Sequence, residues 1–278
     1  MGMWLETYRG AASPWECDIT GHFTIAFYFD RIAIAEASLA TRLGLTDLLR
    51  SGGFVRRYNV RLVNELHAGS AFHIESAAIG LEGGLRFGHR VVDSVTGGAI
   101  TWVEVHWDGA AGRLPPDSVA AWDGPEFAAR PAPANPGRLL PTGAGRVQPG
   151  DLDEFDFMGL RGMVHKFSDT AMQSICAIGL TPEYNKTDRR SYSTVELRLR
   201  IARMPRLGEA YRIGSGITHL GNTSVHFLHV MSDPESGREI ARVDRYGVQL
   251  DLETRRPAPL APALRKRAER LLFAAGQP

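Results

Sequence analysis

The sequence predicts an α+β fold in which one module occurs twice, each copy being a long buried helix wrapped by a curled antiparallel sheet. Three observations predict this fold. Two segments of the chain align with each other without a gap, each half contains one largely apolar helical segment, and four segments of alternating apolar and polar residues follow each helix. At 278 residues the chain is long enough for about two domains.

The internal repeat is visible at both ends of the module. Residues 15–31 align with residues 153–169, and each segment contains an Asp three residues before a Gly. Residues 108–116 and 251–259 are likewise similar and end the two halves. A shared start and a shared end indicate one module that is used twice. The acidic residues that this alignment pairs are Asp18 and Asp156.

The two helical segments are apolar on nearly all sides. The first runs from about residue 22 to 43, and the second from about residue 160 to 178. A helix without a polar stripe is a buried helix, and a strongly twisted antiparallel sheet can cover it on most sides. Gly44 and Gly179 follow the two segments and suit their C-terminal ends.

Strands are predicted where apolar and polar residues alternate and turn residues separate the runs. A short strand at residues 5–9 precedes the first helix. The other predicted strands cover residues 58–63, 71–79, 85–92 and 100–107 in the first half, and residues 192–201, 209–219, 223–231 and 239–250 in the second.

These elements define the domain organisation. Module 1 spans residues 1–114 and module 2 spans residues 142–260. Residues 115–141 are rich in Pro, Ala and Gly, which predicts an extended linker over the surface. Residues 261–278 are predicted to be a C-terminal tail with a short surface helix, whose basic run is typical of a solvated face.

Composition and charge exclude several classes of partner. The net charge is +1, with 44% hydrophobic and 23% charged residues, which favours neither nucleic acid nor a membrane as partner. No apolar run approaches the roughly 20 residues of a membrane span, and the N-terminus lacks the pattern of a secretion signal. Cys17 and Cys176 occupy unmatched positions and are interpreted as free thiols, so we expect a cytoplasmic protein.

The sequence also lacks several motifs that carry chemistry. It contains no Cys/His cluster with zinc-site spacing, no phosphate-binding Gly loop and no Gly-x-Ser-x-Gly. We therefore predict no metal and no cofactor, and we do not expect a serine hydrolase.

The segment from Asp18 to Tyr28, DITGHFTIAFY, resembles the Asp-x-x-Gly-His-x-Asn-x-x-x-Tyr signature of acyl-CoA thioesterases of the 4-hydroxybenzoyl-CoA thioesterase type. The resemblance implies a tandem (double) hotdog fold, an acyl-CoA substrate and hydrolysis without a cofactor. The chain resembles in particular the thioesterase-like proteins linked to carnitine and betaine breakdown. Further segments that carry the likeness are Asp30-Arg31, residues 43–45, 65–69 and 101–106, and in module 2 Asp156, Gly159 and Ser168-Asp169.

The chain departs from the family pattern at a few positions. The family usually has Asn where this chain has Thr20 and Thr24, and a hydroxyl lacks the paired donor and acceptor of an amide. Module 2 has Leu160 at the position aligned with His22, and Arg161 follows. These differences bear on the choice of substrate and on whether module 2 has its own site.

The resemblance and the chemistry of thioester hydrolysis together name a candidate site. Asp18 is the expected nucleophile or general base. His22 and the amides at the start of the helix, near Gly21, His22 and Phe23, are expected to polarise the carbonyl group. Asp156 is a candidate second catalytic carboxylate. The candidate substrate-binding residues are Gly21, Phe23, Thr24, Tyr28, Arg56, Arg57, Glu104, Arg161, Arg189 and Arg190.

These residues also have structural interpretations that the sequence leaves open. Asp18 and Asp156 can cap a turn or a helix, and Glu104 can be a paired strand residue. The arginines at 56, 57, 189 and 190 precede matching strands, where they can bind the phosphates of CoA or lie in solvent as strand ends.

Two other functions remain open at this point. A hotdog dehydratase or hydratase acting on acyl thioesters would need a His with an acidic partner, such as His22 with Glu104 or Asp156. A non-catalytic acyl-CoA-binding module is the other. In all three cases we expect sites at the seam between the modules, and a homo-oligomer can form through exposed sheet edges.

Overall fold

The N-terminal half contributes five strands and two helices to the computed structural model, which describes residues 2–18, 20–110, 114–128 and 139–272. Its elements are β1 (Leu5–Ala11), α1 (Ile25–Arg42), α2 (Thr46–Ser51), β2 (Arg56–Leu62), β3 (Ala71–Gly80), β4 (Gly84–Asp93) and β5 (Ala99–Asp108). The C-terminal half consists of β6 (Leu140–Arg146), α3 (Leu160–Ala177), α4 (Pro182–Thr187), β7 (Arg190–Ile201), β8 (Ala210–Leu220), β9 (Ser224–Ser232), β10 (Glu239–Asp251) and α5 (Pro262–Glu269).

The long helices and the predicted strands are confirmed, with small shifts at their ends. α1 begins at Ile25 rather than near His22, because the residues before it form a turn around the Asp18 side chain. β6, α2 and α4 were not predicted. β6 begins at Leu140, inside the stretch predicted to be linker, and its Pro141 fits a strand at a sheet edge.

All ten strands form one antiparallel sheet in the order β1-β3-β4-β5-β2-β7-β10-β9-β8-β6. The order is the same from either edge when each strand is replaced by its counterpart in the other half, which is β6 for β1, β8 for β3, β9 for β4, β10 for β5 and β7 for β2. β2 and β7 pair at the centre, with Asn59 opposite Arg198. The sheet therefore joins the two halves without a break.

α1 and α3 pack against each other on one face of this sheet. Asp30 of α1 is buried, and its Oδ1 lies 2.9 Å from Nε2 of His165 on α3. The largest apolar cluster includes Phe29 and Val60 from the first half and Phe167 and Leu197 from the second. One core thus serves both halves. None of the described helices is long and apolar enough to cross a membrane.

Part of the predicted linker covers the other face of the sheet. Ala120 is buried against Ala77 and Ile79 of β3, and Trp122 packs beside Trp4. This part of the segment therefore lies against the first half, and residues 129–138 of the predicted linker lie outside the described part of the chain. The tail is helical over Pro262–Glu269, and residues 273–278 of the predicted tail lie outside the described part of the chain.

The loops before α1 and α3 are the clearest evidence for repetition, and they correct the predicted register. The amide of Asp18 donates to the carbonyl of His22, and the amide of Asp153 donates to that of Phe157, both at 2.8 Å. Asp153, rather than Asp156, is therefore the counterpart of Asp18. Asp156 takes the place of Gly21 with a φ of 64°, because Asp tolerates the left-handed conformation better than most residues.

A buried chain of three polar side chains also occurs twice. Thr7 Oγ1 lies 2.7 Å from Ser76 Oγ, which lies 2.6 Å from His89 Nδ1. In the second half the corresponding chain is formed by Thr142, Ser215 and His229. Both histidines are fully buried, and burial lowers the pKa of each to about 3. Both rings are therefore neutral at pH 7.

Candidate active site

A cavity of about 770 Å³ lies where the Asp18 loop meets the C-terminal half of the chain. One wall consists of Asp18, Thr20, His22 and the start of α1. The opposite wall is formed by α3, α4 and the first half of β7, through residues that include Ser168, Ala171, Met172, Ser191 and Thr194. The cavity is therefore built by both halves, at the seam where the sequence predicts a site.

Asp18 is held by a tight turn at the edge of this cavity. Its Oδ1 accepts hydrogen bonds from the amide of Thr20 at 2.8 Å, the hydroxyl of Thr20 at 2.6 Å and the amide of His22 at 3.1 Å. No described residue donates a hydrogen bond to Oδ2, and the side chain is 47% exposed. One carboxylate oxygen thus fixes the orientation while the other is open to the cavity.

His22 contacts a polar group through each of its ring nitrogens. The Thr20 hydroxyl has one hydrogen, which it donates to the carboxylate of Asp18, so Nδ1 of His22 must donate to Thr20 Oγ1 at 2.6 Å. On the other side of the ring, Nε2 lies 3.2 Å from Oε2 of Glu65. One ring nitrogen of His22 thus contacts Thr20 and the other faces Glu65.

Arg255 reaches this group from the other half of the chain. It lies in the turn that follows β10, with a φ of 57°, and forms an ion pair with Glu65. A continuous polar chain thus runs from Asp18 through Thr20, His22 and Glu65 to Arg255. Arg255 compensates the charge of Glu65, whereas the carboxylate of Asp18 has no arginine or lysine partner among the described residues.

Three residues at this place could hold a metal ion. Within the described segments, one ligand atom from each of His22, Glu65 and His67 lies within 4.8 Å of the others. A metal here would have to displace the proton from Nε2 of His22 and compete with Arg255 for Glu65. The contacts already in place therefore favour the polar chain over a metal.

The amides expected to polarise a carbonyl are engaged within the loop. Gly21 donates to the carbonyl of Asp18, His22 to the side chain of Asp18, and Phe23 to the carbonyl of Leu66. The first-turn amides of a helix have no intrahelical acceptor, and no side chain caps α1. Ile25 and Ala26 supply these free donors instead, and Ile25 lines the cavity.

Phe23, Thr24 and Tyr28 form the cavity wall beside Asp18. The Tyr28 hydroxyl accepts a hydrogen bond from the amide of Leu66 at 3.2 Å, and burial raises the pKa of Tyr28, so this phenol is a poor proton donor. Cys17 also lines the cavity, and burial together with the adjacent Asp18 raises its thiol pKa. Neither residue competes with Asp18 as the reactive group.

The remaining predicted residues lie away from the cavity. Arg56 is buried over the rings of Phe54 and Trp107. Glu104 faces the opposite side of the sheet, where burial opposes its ionisation but hydrogen bonds from His106, Asn59 and Arg86 lower its pKa to about 2. The others pair locally: Arg57 with Asp108, Arg161 with Asp30, Arg189 with Glu253 and Arg190 with the carbonyl of Pro259.

The corresponding place in the second half is filled. Phe157 stands where the first half has His22, and a Cβ on Gly52 would lie 2.8 Å from its ring. The guanidinium of Arg206 stacks over the same ring at 4.2 Å. Asp153 makes the same turn contacts as Asp18, at 2.9 Å to the amide of Phe155 and 3.1 Å to that of Phe157, but it does not border the cavity. Asp156 is exposed on the same loop.

Comparison with known proteins places this geometry in context. Residues 147–268 match the thioesterase-like superfamily. No curated protein matches the sequence. The family match supports an acyl thioester hydrolase, and it falls on the half of the chain that forms the far wall of the cavity.

Solved structures show the same fold over nearly the whole chain. A protein assigned as an oleoyl thioesterase from Lactobacillus plantarum superposes with a TM-score of 0.66 at 14% identity, covering 86% of this chain and 94% of that one. An acyl-ACP thioesterase from Bacteroides thetaiotaomicron VPI-5482 gives 0.62 at 14%, covering 86% and 96%. The 12:0-ACP thioesterase from Umbellularia californica gives 0.60 at 12%, covering 87% and 92%. The predicted α+β fold of hotdog thioesterases is confirmed.

Three charged residues of the cavity, Glu65, Arg245 and Arg255, were missed as site residues by the sequence analysis. Glu65 and Arg255 are 190 positions apart, and no local pattern brings them together. Arg245 also lines the cavity. Of these three residues, Arg245 is the one that the sequence pattern could have identified, because its charge interrupts the alternation of apolar residues that Ala241 and Val243 begin on β10.

Proposed function

We propose that this chain hydrolyses acyl-CoA thioesters at one site, which lies between two tandem hotdog modules and uses Asp18 as the reactive carboxylate. The observation that carries the proposal is the position of Asp18. One of its oxygens is fixed by the turn, the other is open, and the cavity beside it is closed by the second module.

The reaction needs an attacking oxygen and stabilisation of the charge that develops on the carbonyl oxygen. As a general base, Asp18 takes a proton from water, and the hydroxide adds to the carbonyl carbon. As a nucleophile, it forms a mixed anhydride that water then hydrolyses. In both routes the bond to sulfur breaks, and the thiolate takes up a proton.

The carbonyl oxygen can be stabilised from two directions. The amides of Ile25 and Ala26 have no intrahelical acceptor, and the N-terminal end of α1, where the helix dipole is positive, borders the cavity through Ile25. Nε2 of His22, which lies 3.2 Å from Glu65, can donate to the carbonyl oxygen when it carries a hydrogen. Such preorganised donors typically contribute several kcal/mol to the barrier reduction.

The carrier of the acyl group is part of the proposal. The resemblance of the Asp18–Tyr28 segment favours CoA and the 4-hydroxybenzoyl-CoA thioesterase type, whereas two of the solved neighbours act on acyl-ACP. Comparing one acyl group on CoA with the same group on acyl carrier protein distinguishes the two carriers. We also propose a cytoplasmic location, and pairing of the exposed edge strands β1 and β6 as a route to homo-oligomers.

The contact between His22 and Glu65 favours a second candidate, a dehydratase or hydratase. Such an enzyme needs a His with an acidic partner, and Glu65 provides it at 3.2 Å, in place of the Glu104 or Asp156 considered from the sequence. Incubation with enoyl- and 3-hydroxyacyl-CoAs separates the two functions. Hydrolysis releases free thiol, while hydration changes the absorbance of the enoyl group with the thioester intact.

The decisive test of the proposal is Asp18→Asn. Loss of the general base or nucleophile should lower kcat/KM for acyl-CoA by about 10²- to 10⁴-fold, measured as thiol release over a panel of acyl-CoAs. The matched control is Asp153→Asn, because Asp153 makes the same turn contacts at the filled position of the second half.

We expect Asp153→Asn to retain turnover near the parent value. Thermal unfolding of both variants shows whether the fold survives. Unchanged turnover in a folded Asp18→Asn variant would falsify the mechanism. Tight acyl-CoA binding by the parent chain without any turnover would instead support a non-catalytic binding module.

A further inference from the structure

Arg245 lies on β10 at a position that faces the helices. Its neighbour two residues earlier on the same face is the buried Val243. It lines the cavity beside Asp18, and it also borders a smaller adjoining space of about 30 Å³ together with Ile25, Ser168 and Ala171. Arg245 therefore lies deep in the cavity, between the sheet, α3 and the first residue of α1.

The protein gives this guanidinium few partners. Its Nη2 donates to the hydroxyl of Thr194 at 2.8 Å, and its charge lies over the ring of Tyr192 at 5.7 Å. Its Nε is buried without a hydrogen-bond partner. In the part of the chain that the structure describes, no carboxylate forms an ion pair with it.

Of the other four described arginines with a buried Nε, three form an ion pair with a glutamate: Arg31 with Glu16, Arg61 with Glu196 and Arg86 with Glu104. The charge of the fourth, Arg56, acts on the buried carboxylate of Glu36, where it opposes the rise in pKa that burial causes. The carboxylates at the cavity are also engaged elsewhere. Asp18 is held by its own turn, and Glu65 is paired with Arg255 and His22. The charge of Arg245 is thus uncompensated by the protein.

Such an arrangement has a free-energy cost. A partly buried charge without a counter-ion loses part of its hydration and gains no ion pair in return. Burial accordingly lowers the pKa of Arg245 below the usual value for arginine. An anion that enters the cavity would offset this cost, and a planar carboxylate matches the hydrogen-bonding geometry of a guanidinium.

We propose that the acyl group of the substrate carries a carboxylate that pairs with Arg245, so that the substrate is the CoA monothioester of a dicarboxylic acid. This inference rests on the proposed function, since it names the substrate class of the same site. It also argues against a cationic acyl group of the carnitine or betaine kind, because the cation would lie beside the positive guanidinium of Arg245.

Binding of non-hydrolysable ligands tests the inference without relying on catalysis. S-(3-carboxypropyl)-CoA and S-butyl-CoA have the same four-carbon chain and differ in the terminal carboxylate. The parent chain should bind the carboxylate ligand about 10- to 100-fold more tightly by calorimetry, the range expected for a charge-assisted hydrogen bond. Arg245→Met should reduce this preference to within about threefold of unity, and Arg245→Lys should retain part of it.

Hydrolysis provides the second arm. Succinyl-, glutaryl- and adipyl-CoA are compared with butyryl-, valeryl- and hexanoyl-CoA, and 4-trimethylammoniobutyryl-CoA serves as the cationic probe. We expect the carboxylated member of at least one pair to have the higher kcat/KM, the cationic probe to have the lowest, and Arg245→Met to remove the preference. Thermal unfolding of the variants confirms that they are folded.

The outcomes separate the two proposals. Equal binding of the two non-hydrolysable ligands to the parent chain overturns the inference, and so does a preference that survives in a folded Arg245→Met variant. An equal loss of kcat for all acyl groups in that variant also overturns it, because Arg245 would then act at the thioester carbonyl. A carboxylate preference in binding without turnover of any thioester leaves the inference standing and removes the proposed hydrolysis.

Discussion

Asp18 and Asp153 show how neighbouring residues decide the role of a side chain. Both accept two backbone amides in the same kind of turn. The turn of Asp18 is followed by His22 and a cavity, whereas that of Asp153 is followed by Phe157, which fills the corresponding place. The same kind of carboxylate therefore borders a cavity in one half and is enclosed by its own turn and a filled position in the other.

His89 and His229 carry the first prediction, which concerns stability and pH. Each is neutral in the folded state down to a pKa of about 3, whereas a histidine in the unfolded chain takes up a proton near pH 6.5. The unfolded state therefore binds more protons as the pH falls from about 6.5 to about 3. Each buried histidine should lower the free energy of unfolding by about 1.4 kcal/mol per pH unit in that interval.

Urea unfolding between pH 6.5 and 4.5 measures this slope. His89→Asn and His229→Asn should each reduce this slope by about 1.4 kcal/mol per pH unit relative to the parent, which corresponds to one proton fewer taken up on unfolding. His219→Asn, at an exposed position, should leave the slope unchanged. Comparison with the parent also cancels the opposing effect of Asp244, whose pKa burial raises to about 6. Identical slopes for all four chains would contradict the prediction.

At the scale of elements, the turn before α1 determines the geometry of the site. It places Asp18 and His22 on the cavity and leaves the first amides of α1 free. Gly21 allows this turn with a φ of 82°, and a Cβ at that position would meet no atom within 4 Å. The cost of a side chain there is therefore confined to the backbone conformation.

Gly21→Ala and Asp156→Gly form a matched pair, because the two residues occupy the same position of the repeated turn. Gly21→Ala should lower the free energy of unfolding by about 1 kcal/mol and kcat/KM by about tenfold, since it disturbs the geometry of Asp18 and His22. Asp156→Gly should relieve the same strain at a position without a cavity, with unchanged turnover. Denaturant unfolding and thiol release measure both effects.

The result that would speak against this interpretation is an equal loss of stability in the two variants. Gly21 and Asp156 would then not share one backbone conformation. Loss of turnover in Asp156→Gly would restore a catalytic role for that loop.

The elements differ in how well the sequence predicts them. α1, α3 and the strands of the two β3-β4-β5 and β8-β9-β10 groups follow from local periodicity, which is visible in any one segment. The register of the loop at residues 153–159 was wrong, because it contains two Asp residues and the match with Asp18 fell on Asp156. β6 was missed, since its Pro and Gly residues are typical of a linker.

The site shows the same division between local and long-range information. Asp18 and His22 are adjacent to a helix start and could be proposed from a short motif. Arg255 reaches Glu65 through the pairing of distant strands, which no single segment encodes. Arg56 was expected to precede a strand, but it is the first residue of β2, and its guanidinium is buried over the rings of Phe54 and Trp107.

At the scale of the whole molecule, the two halves share one sheet and one apolar core. β2 and β7 are hydrogen-bonded over six residue pairs, from Arg56 opposite Ile201 to Arg61 opposite Glu196. The buried contact between Asp30 and His165 joins the helices. Each half alone would expose the strand edge and the apolar side chains that the other half covers. We therefore expect the two halves to unfold together.

The distribution of tryptophan makes this prediction testable. All five Trp residues lie between Trp4 and Trp122, so fluorescence reports on the first half alone, whereas far-UV circular dichroism reports on both. Denaturation curves from the two probes should coincide, with one midpoint and one slope. Separate midpoints would show that the second half unfolds independently and that the shared core does not couple the halves.

The filled position around Phe157 has a consequence for how this protein can change over generations. In a symmetric dimer of identical subunits, every substitution occurs in both subunits. A substitution that changes how a residue contacts the acyl group at one site therefore also changes any supporting role that the same residue has at the other site. In this single chain, the Asp18 loop belongs to one half, while α3, β7 and β10 of the other half form much of the cavity wall. Mutations at α3, β7 and β10 can therefore change the shape of the cavity while the Asp18 loop is inherited unchanged.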